Sequence, residues 1–324
     1  MEIRKLIILV FFFAFSAYAD SDYLAFVNKS FERDLKVSFR LYHSYEKFVK
    51  QEVPFYIVIP QRDQRLFFDY FNNAHKSQKI KKLPIFLTEE EVFQKCGTST
   101  EAKMFNMPGW SRQQVVKLCF SKLGMAKNYL TIDSDTYFTR PFDTDILFYK
   151  GKARTYSPDR IKKNNPSPKN PIFSEMKQIN EVLLSESKDY NNFILGFGMW
   201  SSDLLIKLES FVRQKYGYDF ADLIVKVPLE MQWYGVFVYY KHHQDFFPLS
   251  NLFTLINSKD LKWMKKQCVP TDGEPKHFGV SYQYSTNESY ANPCGELKTS
   301  MKIMGRSINR SLKLIRTQIR ALLS

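Results

Sequence analysis

Two aspartates separated by a single residue, Asp133 and Asp135, are the side chains in this sequence best suited to chemistry. They follow directly on the apolar, β-branched run NYLTI at 128–132, which predicts a buried strand. Two carboxylates at this spacing in an extended turn can both reach one hard cation, and Mg²⁺ or Mn²⁺ bound in this way keeps positions open for phosphate oxygens. Ligand sites in open α/β sheets lie just beyond the carboxyl ends of strands. The spacing therefore predicts a metal and phosphate site at residues 133–135.

Apolar runs alternate with segments of helical spacing before these acids. Strands are predicted at 23–28, 54–59, 83–87 and 128–132, and helices at 35–48, 65–71 and 111–122. Ser111 is expected to cap the last of these helices and Gly124 to end it. Strand–helix–strand units at this spacing indicate an α/β fold with a parallel sheet, and continuous apolar runs are typical of strands buried on both faces. Residues 150–174, which contain four prolines, predict a loop.

The segment LTIDSDTYFTRPF at 130–142 resembles the D-x-D region of GT-A glycosyltransferases. Three further segments are similar to those of a poorly characterised bacterial and viral family of glycosyltransferase-like proteins: FVNKSFERDL at 26–35, GWSRQQVVKL at 109–118 and PLEMQWYG at 228–235. The resemblance extends over roughly residues 23–285. It implies a GT-A-like (Rossmann-like) domain with a mostly parallel sheet flanked by helices. It also implies a metal-dependent enzyme that moves a sugar from a nucleotide-sugar donor to a glycan or lipid-linked acceptor.

The same resemblance assigns roles to individual side chains. The donor-binding residues that it implies are Ser30, Asp34, Trp110, Gln113, Lys117, Asp133 and Asp135, and the metal ligands are Asp133, Asp135 and His277, with Mn²⁺ or Mg²⁺ as the cofactor. A plain core position is the alternative for Trp110. Gln113 and Gln114 point in different directions on a helix, so at most one of them is expected to face the site.

Four residues have two interpretations each. Glu230 is the candidate catalytic base or acceptor-holding carboxylate, since an inverting transferase needs a carboxylate to take the proton of the acceptor hydroxyl; a salt-bridged or surface acid is the alternative. A retaining mechanism would not need that base. His277 has a suitable imidazole for Mn²⁺, against a purely structural role. Gly196 and Gly198 would line the acceptor side or form a tight packing bend.

The charge of the chain indicates a second class of function. With 47 basic and 33 acidic residues, the net charge of +14 attracts phosphates of any kind. Residues 150–169 and 298–320 each contain seven basic residues. A nucleic-acid- or polyanion-binding protein is therefore one alternative, and an inactive secreted binding module is another. The sequence contains no zinc-finger, helix-turn-helix or RNP-type signature, so no nucleic-acid partner is expected.

The four cysteines, Cys96, Cys119, Cys268 and Cys294, contain no C-x-x-C pair, which argues against a structural zinc site. Two arrangements stay open. The cysteines are buried or free thiols, or Cys268 and Cys294 form a bridge if the chain enters an oxidising compartment.

Both ends of the chain suggest contact with a membrane. Residues 1–19, with a short apolar run and the A-x-A pattern at 17–19, predict a signal peptide or a short membrane anchor before a catalytic domain at 20–297. Residues 298–324 predict an amphipathic helix whose basic face would bind an anionic membrane surface. The alternative is a helix that packs its apolar face on the catalytic domain and leaves its basic face in solvent. A membrane-associated protein is therefore expected, in the secretory pathway or periplasm or on the cytoplasmic face of a membrane.

Overall fold

The computed structural model describes residues 24–97, 103–104, 106–157, 171–185, 191–256 and 277–282. The predicted signal or anchor at 1–19, the basic helix at 298–324 and the pair Cys268 and Cys294 lie outside the described residues, so these stay predictions. Within the described ranges, no helix is long and apolar enough to cross a membrane.

A mostly parallel sheet forms the centre of the described part of the chain. In chain order the strands are β1 (Leu24–Lys29), β2 (Phe55–Ile59), β3 (Ile85–Thr88), β4 (Asn128–Ile132), β5 (Thr136–Phe138), β6 (Phe148–Tyr149), β7 (Lys152–Ala153), β8 (Thr155–Tyr156), β9 (Phe197–Ser201), β10 (Pro248–Leu249), β11 (Phe253–Ile256) and β12 (Gly279–Tyr282). The central sheet has the order β3-β2-β1-β4-β9, in which β9 is antiparallel to β4 and the other pairs are parallel. A smaller sheet pairs β12 with β11 and with β5.

Helices cover both faces of the central sheet. They are α1 (Leu35–Phe48), α2 (Gln64–Lys76), α3 (Glu89–Cys96), α4 (Gly109–Cys119), α5 (Pro171–Leu184), α6 (Ser202–Tyr216), α7 (Phe220–Lys226) and α8 (Glu230–Lys241). Alternate side chains of β1 enter different cores: Phe26 belongs to the core that includes α1 and α2, whereas Val27 belongs to the core that includes α3 to α8. Strands buried on both faces explain the continuous apolar runs, and the predicted α/β class with a mostly parallel sheet and flanking helices is confirmed.

Two local predictions are wrong. Ser111 does not cap its helix, because α4 begins two residues earlier, at Gly109, with Pro108 in the capping position. The stretch 150–174 is not a loop throughout: Lys150 and Gly151 make a tight turn between β6 and β7, β8 follows, and Pro171 begins α5. Positive φ at both turn residues is the conformation that two-residue hairpins use.

A disulfide joins the ends of two helices. Cys96, the last residue of α3, is bonded to Cys119, the last residue of α4, with 5.4 Å between their Cα atoms. Both cysteines are buried. The interpretation of these two as thiols is therefore wrong. Sequence spacing could not indicate the pairing, because it depends on α3 and α4 packing side by side against the same face of the sheet.

Removing this bond should destabilise the protein. Closing a loop with a sequence separation of 23 contributes about 3 kcal/mol in the chain-entropy account. We expect the paired Cys96→Ser and Cys119→Ser variant, and wild type treated with a reductant, to lose about that much free energy of unfolding in urea. Equal stability of oxidised and reduced wild type would contradict the bond's contribution.

Candidate active site

The predicted acids lie where the order of the sheet reverses. The chain passes from β1 to β2 on one side of β1, but β4 pairs with the other side. Such a switch point opens a crevice between the carboxyl ends of the two neighbouring strands. Asp133 follows the end of β4 and Ser30 follows the end of β1, so both enter this crevice region.

The serine between the two aspartates ties the motif to β1. Asn28 Nδ2 donates to the carbonyl of Ile132 at 2.9 Å and to Ser134 Oγ at 3.1 Å. The hydroxyl of Ser38 donates to Asn28 Oδ1 at 2.7 Å. Ser134 Oγ also lies 3.3 Å from Ser30 Oγ. This network fixes the backbone that carries the two carboxylates. Asn28 was not among the predicted site residues, although a single asparagine in an otherwise apolar strand is a signal.

Asp133 is held from α4. Lys117 Nζ lies 2.9 Å from Asp133 Oδ1, and Gln113 Nε2 donates to the same oxygen at 3.1 Å. The backbone N–H of Asp133 donates to the carbonyl of Gly196 on the β9 side. The Asp133 side chain is 30% exposed, while that of Lys117 is 4% exposed. The structure thus brings three of the predicted donor-binding residues together, with one carboxylate edge reachable from solvent.

Glu230 shares the same lysine. Its Oε1 lies 3.0 Å from Lys117 Nζ. Burial raises the pKa of the Glu230 carboxyl, with the Lys117 ammonium opposing the shift and Asp133 adding to it. Burial alone would lower the pKa of Lys117, but Asp133 and Glu230 outweigh it and the pKa ends above its ordinary value. Lys117 is therefore a buried cation between two carboxylates.

Both glutamines of α4 reach this cluster. With its amide nitrogen turned toward Glu230, the orientation that satisfies both of its ends, Gln114 donates to the two carboxylate oxygens at 2.5 and 2.6 Å and accepts from Trp110 Nε1 at 3.1 Å. Gln113 and Gln114 contact different carboxylates, Asp133 and Glu230, because neighbouring residues on a helix point in different directions. Which of the two glutamines faces a bound donor stays a prediction. Trp110 is 55% exposed, so it is not a core residue.

The two predicted residues after β1 differ in exposure. Ser30 is fully buried, with its hydroxyl in the network around Ser134. Asp34 ends a short 3-10 helix, Glu32–Asp34, and is partly exposed. Burial raises the pKa of Asp34, while Arg33 and Lys29 oppose the shift and Asp133 adds to it. Asp34 is therefore within electrostatic range of the acid motif.

His277 lies just before the small sheet that includes β5. It precedes β12, which pairs with β5, and its Nδ1 lies 2.9 Å from the hydroxyl of Thr254. Among the described residues, no three His, Cys, Asp or Glu side chains gather into a group that could hold a metal ion. His277 as a third metal ligand thus stays a prediction. The pair Asp133 and Asp135 still fits Mg²⁺ or Mn²⁺, since such ions commonly take one or two carboxylates and complete their shell with phosphates and water.

The two glycines of the LGFG segment have different surroundings, and an acceptor-side role for Gly196 stays a prediction. A Cβ on Gly196 would lie 2.8 Å from Ser281 Oγ and 3.7 Å from Asp133 Oδ2, so the backbone there passes close to the site. A Cβ on Gly198 would lie 2.3 Å from Trp200 Nε1, which makes that glycine a packing position.

A second buried ion pair borders the site and was missed in the sequence. Lys29, the last residue of β1, lies 2.9 Å from Glu89 Oε1, and both side chains are almost completely buried. Arg112 Nη1 lies 3.9 Å from the other oxygen of Glu89. Burial lowers the pKa of Lys29 to about 8, even though Glu89 raises it. The only sequence signal was a lysine ending the apolar run of β1.

The model of a protein family of unknown function, DUF6492, matches residues 28–243. The chain belongs to this family. The matched residues include Asp133, Asp135, Lys117 and Glu230 but not His277. A search of curated proteins found no match.

Solved structures similar to this DUF6492 member include two whose names state glycosyl transfer. They are mouse xyloside xylosyltransferase 1 in its apo form (12% identity, 83% of this chain and 99% of that chain, TM-score 0.49) and the bifunctional glycosyltransferase WbbM (11% identity, 82% and 47%, TM-score 0.45). An active-site mutant of LgtC also matches (11% identity, 87% and 95%, TM-score 0.44). All three TM-scores lie below 0.5.

Proposed function

We propose that this protein is a glycosyltransferase that moves a sugar from a nucleotide-sugar donor to a glycan or lipid-linked acceptor. The observation that carries the proposal is the pair Asp133 and Asp135 at the switch point of a mostly parallel sheet, fixed to β1 through Ser134. An acid pair in that position suits a cation-bound diphosphate. The resemblance of residues 130–142 to the D-x-D region of GT-A enzymes supports the same activity.

The side chains of the chain itself would bind and orient the donor. Asp133 and Asp135 would hold the cation, and Gln113 keeps Asp133 in one orientation through its 3.1 Å hydrogen bond. A bound Mn²⁺ or Mg²⁺ would neutralise the charge that develops on the leaving diphosphate. Asp34 would lie on the nucleoside side, beyond β1. Trp110, with its indole anchored by Gln114, would offer an exposed flat surface at the rim of the site.

A turnover assay tests this proposal directly. Purified protein should release nucleoside diphosphate from at least one nucleotide sugar in a panel, with Mn²⁺ present, and EDTA should abolish the release. Hydrolysis without an added acceptor is a sufficient signal. Thermal stabilisation by a nucleoside diphosphate without any turnover would instead favour an inactive binding module. If no nucleotide sugar in the panel were turned over and no nucleoside diphosphate stabilised the protein, the proposal would be contradicted.

We also propose that the protein matures in an oxidising compartment. The bond between Cys96 and Cys119 supports this, because disulfides persist in secreted and periplasmic proteins and are rare in the cytosol. It agrees with the signal or anchor expected at residues 1–19.

A further inference from the structure

We infer that Glu230 is a positioning residue that acts on Asp133 through Lys117, and that this shared ion pair sets how strongly the acid motif binds a divalent cation. The inference rests on the proposed function. It replaces the proton transfer that the sequence suggested for Glu230.

The geometry argues against a role for Glu230 as a base. A catalytic base has to lie within hydrogen-bond reach of the hydroxyl whose proton it takes. The Glu230 side chain is 8% exposed, Lys117 lies against its Oε1, and Gln114 donates to both of its oxygens. An acceptor hydroxyl would have to displace one of these buried donors.

The same contacts give Glu230 an indirect role. Lys117 Nζ lies 2.9 Å from Asp133 and 3.0 Å from Glu230, so one ammonium balances two carboxylates. Gln114 holds Glu230 in this position from the other side, and Trp110 in turn holds Gln114. Because the ammonium of Lys117 can neutralise only one of the two carboxylates, the three groups together have a net negative charge, which attracts a further cation to Asp133.

Removing the charge of Glu230 and removing the charge of Lys117 should therefore change the cation affinity of the site in opposite directions. Without the charge of Glu230, Lys117 pairs with Asp133 alone and competes better against a metal ion. Without the charge of Lys117, both carboxylates add to the negative potential at the site. Affinity of oxygen-ligand sites for divalent cations follows the charge count of the site. Damage to the packing would weaken binding in both variants.

Binding of Mn²⁺ alone, measured by titration calorimetry on the full chain, tests the inference. We expect Glu230→Gln to weaken Mn²⁺ binding by at least about tenfold, and Lys117→Met to tighten it. The double variant should bind within about threefold of wild type, because it removes one charge of each sign. Glu209→Gln is the matched control and should bind as wild type does. Glu209 is equally buried and pairs with Lys122 at 2.7 Å.

The outcomes separate this inference from the proposed function. If wild type binds Mn²⁺ and Glu230→Gln binds it equally well, or if Lys117→Met also weakens binding, the inference is wrong and the proposed function stands. If Glu230→Gln does not fold, the double variant decides, since it leaves no unpaired buried charge, and a loss of tenfold or more there overturns the inference. If the wild type binds no Mn²⁺, the inference is also wrong. Turnover of a nucleotide sugar without metal would then show that the proposed glycosyl transfer still holds.

Discussion

Replacing Asp133 or Asp135 with asparagine should lower the turnover of a nucleotide sugar by at least about a hundredfold, the usual cost of losing one preorganised electrostatic group. Asparagine keeps the shape and a hydrogen-bonding oxygen, so the network through Ser134 and Asn28 should survive. What the substitution removes is the negative charge that a divalent cation requires. The loss should appear in kcat for a donor at saturating concentration, measured as release of nucleoside diphosphate.

Asp69→Asn is the control for this pair of substitutions. Asp69 is a well-exposed aspartate on α2 that forms a surface ion pair with Arg65, and its replacement should leave turnover unchanged. Full activity of the Asp135→Asn protein, or wild-type activity that is undiminished in EDTA, would rule out the cation-binding role of the motif.

The second large effect is expected at the buried pair of Lys29 and Glu89. Lys29→Met should cost roughly 3–5 kcal/mol of unfolding free energy, because it leaves the Glu89 carboxylate buried without its nearest cation. The lowered pKa of Lys29 indicates that desolvation already outweighs the attraction between the two groups. The double variant Lys29→Met with Glu89→Leu should therefore recover most of the loss. Urea unfolding of the four proteins of this cycle measures the coupling.

Two results would count against this account. If Lys29→Met cost less than about 1 kcal/mol, water would be reaching Glu89 in place of the lysine. If the double variant lost as much unfolding free energy as the two single variants together, the two side chains would not be coupled, and each would stabilise the protein through its packing alone. Lys82→Met is a suitable control, since Lys82 pairs with Glu52 on the open surface and its loss should be close to neutral.

The sequence predicted the structure best at β4 and at the two aspartates that follow it. The predicted strand at 128–132 has the bounds of β4, and the acids lie at its end as expected. This succeeded because apolar runs and turn residues are local signals. The helix with Gln113 and Lys117 was also predicted, although its start was placed two residues late.

Contacts between distant segments could not be predicted in the same way. The pairing of Lys29 with Glu89, of Cys96 with Cys119 and of Lys117 with Glu230 depends on which helices lie on one face of the sheet. No spacing along the chain encodes that. The contact of Gln114 with Glu230 could not be predicted for the same reason.

The pairing of β12 with β5 has a consequence for synthesis of the protein. Thr136 donates to Ser281 at 2.9 Å across 145 residues, and Gly279 packs so tightly that a Cβ there would lie 2.2 Å from the carbonyl oxygen of Tyr137. A nascent chain emerging from the ribosome therefore presents the acid motif long before the strand that covers its flank exists. Until that strand arrives, β5 offers an unpaired edge, which is the kind of surface that chaperones bind and that drives aggregation. Slow translation of the segment between β5 and β12 would prolong this exposed stage.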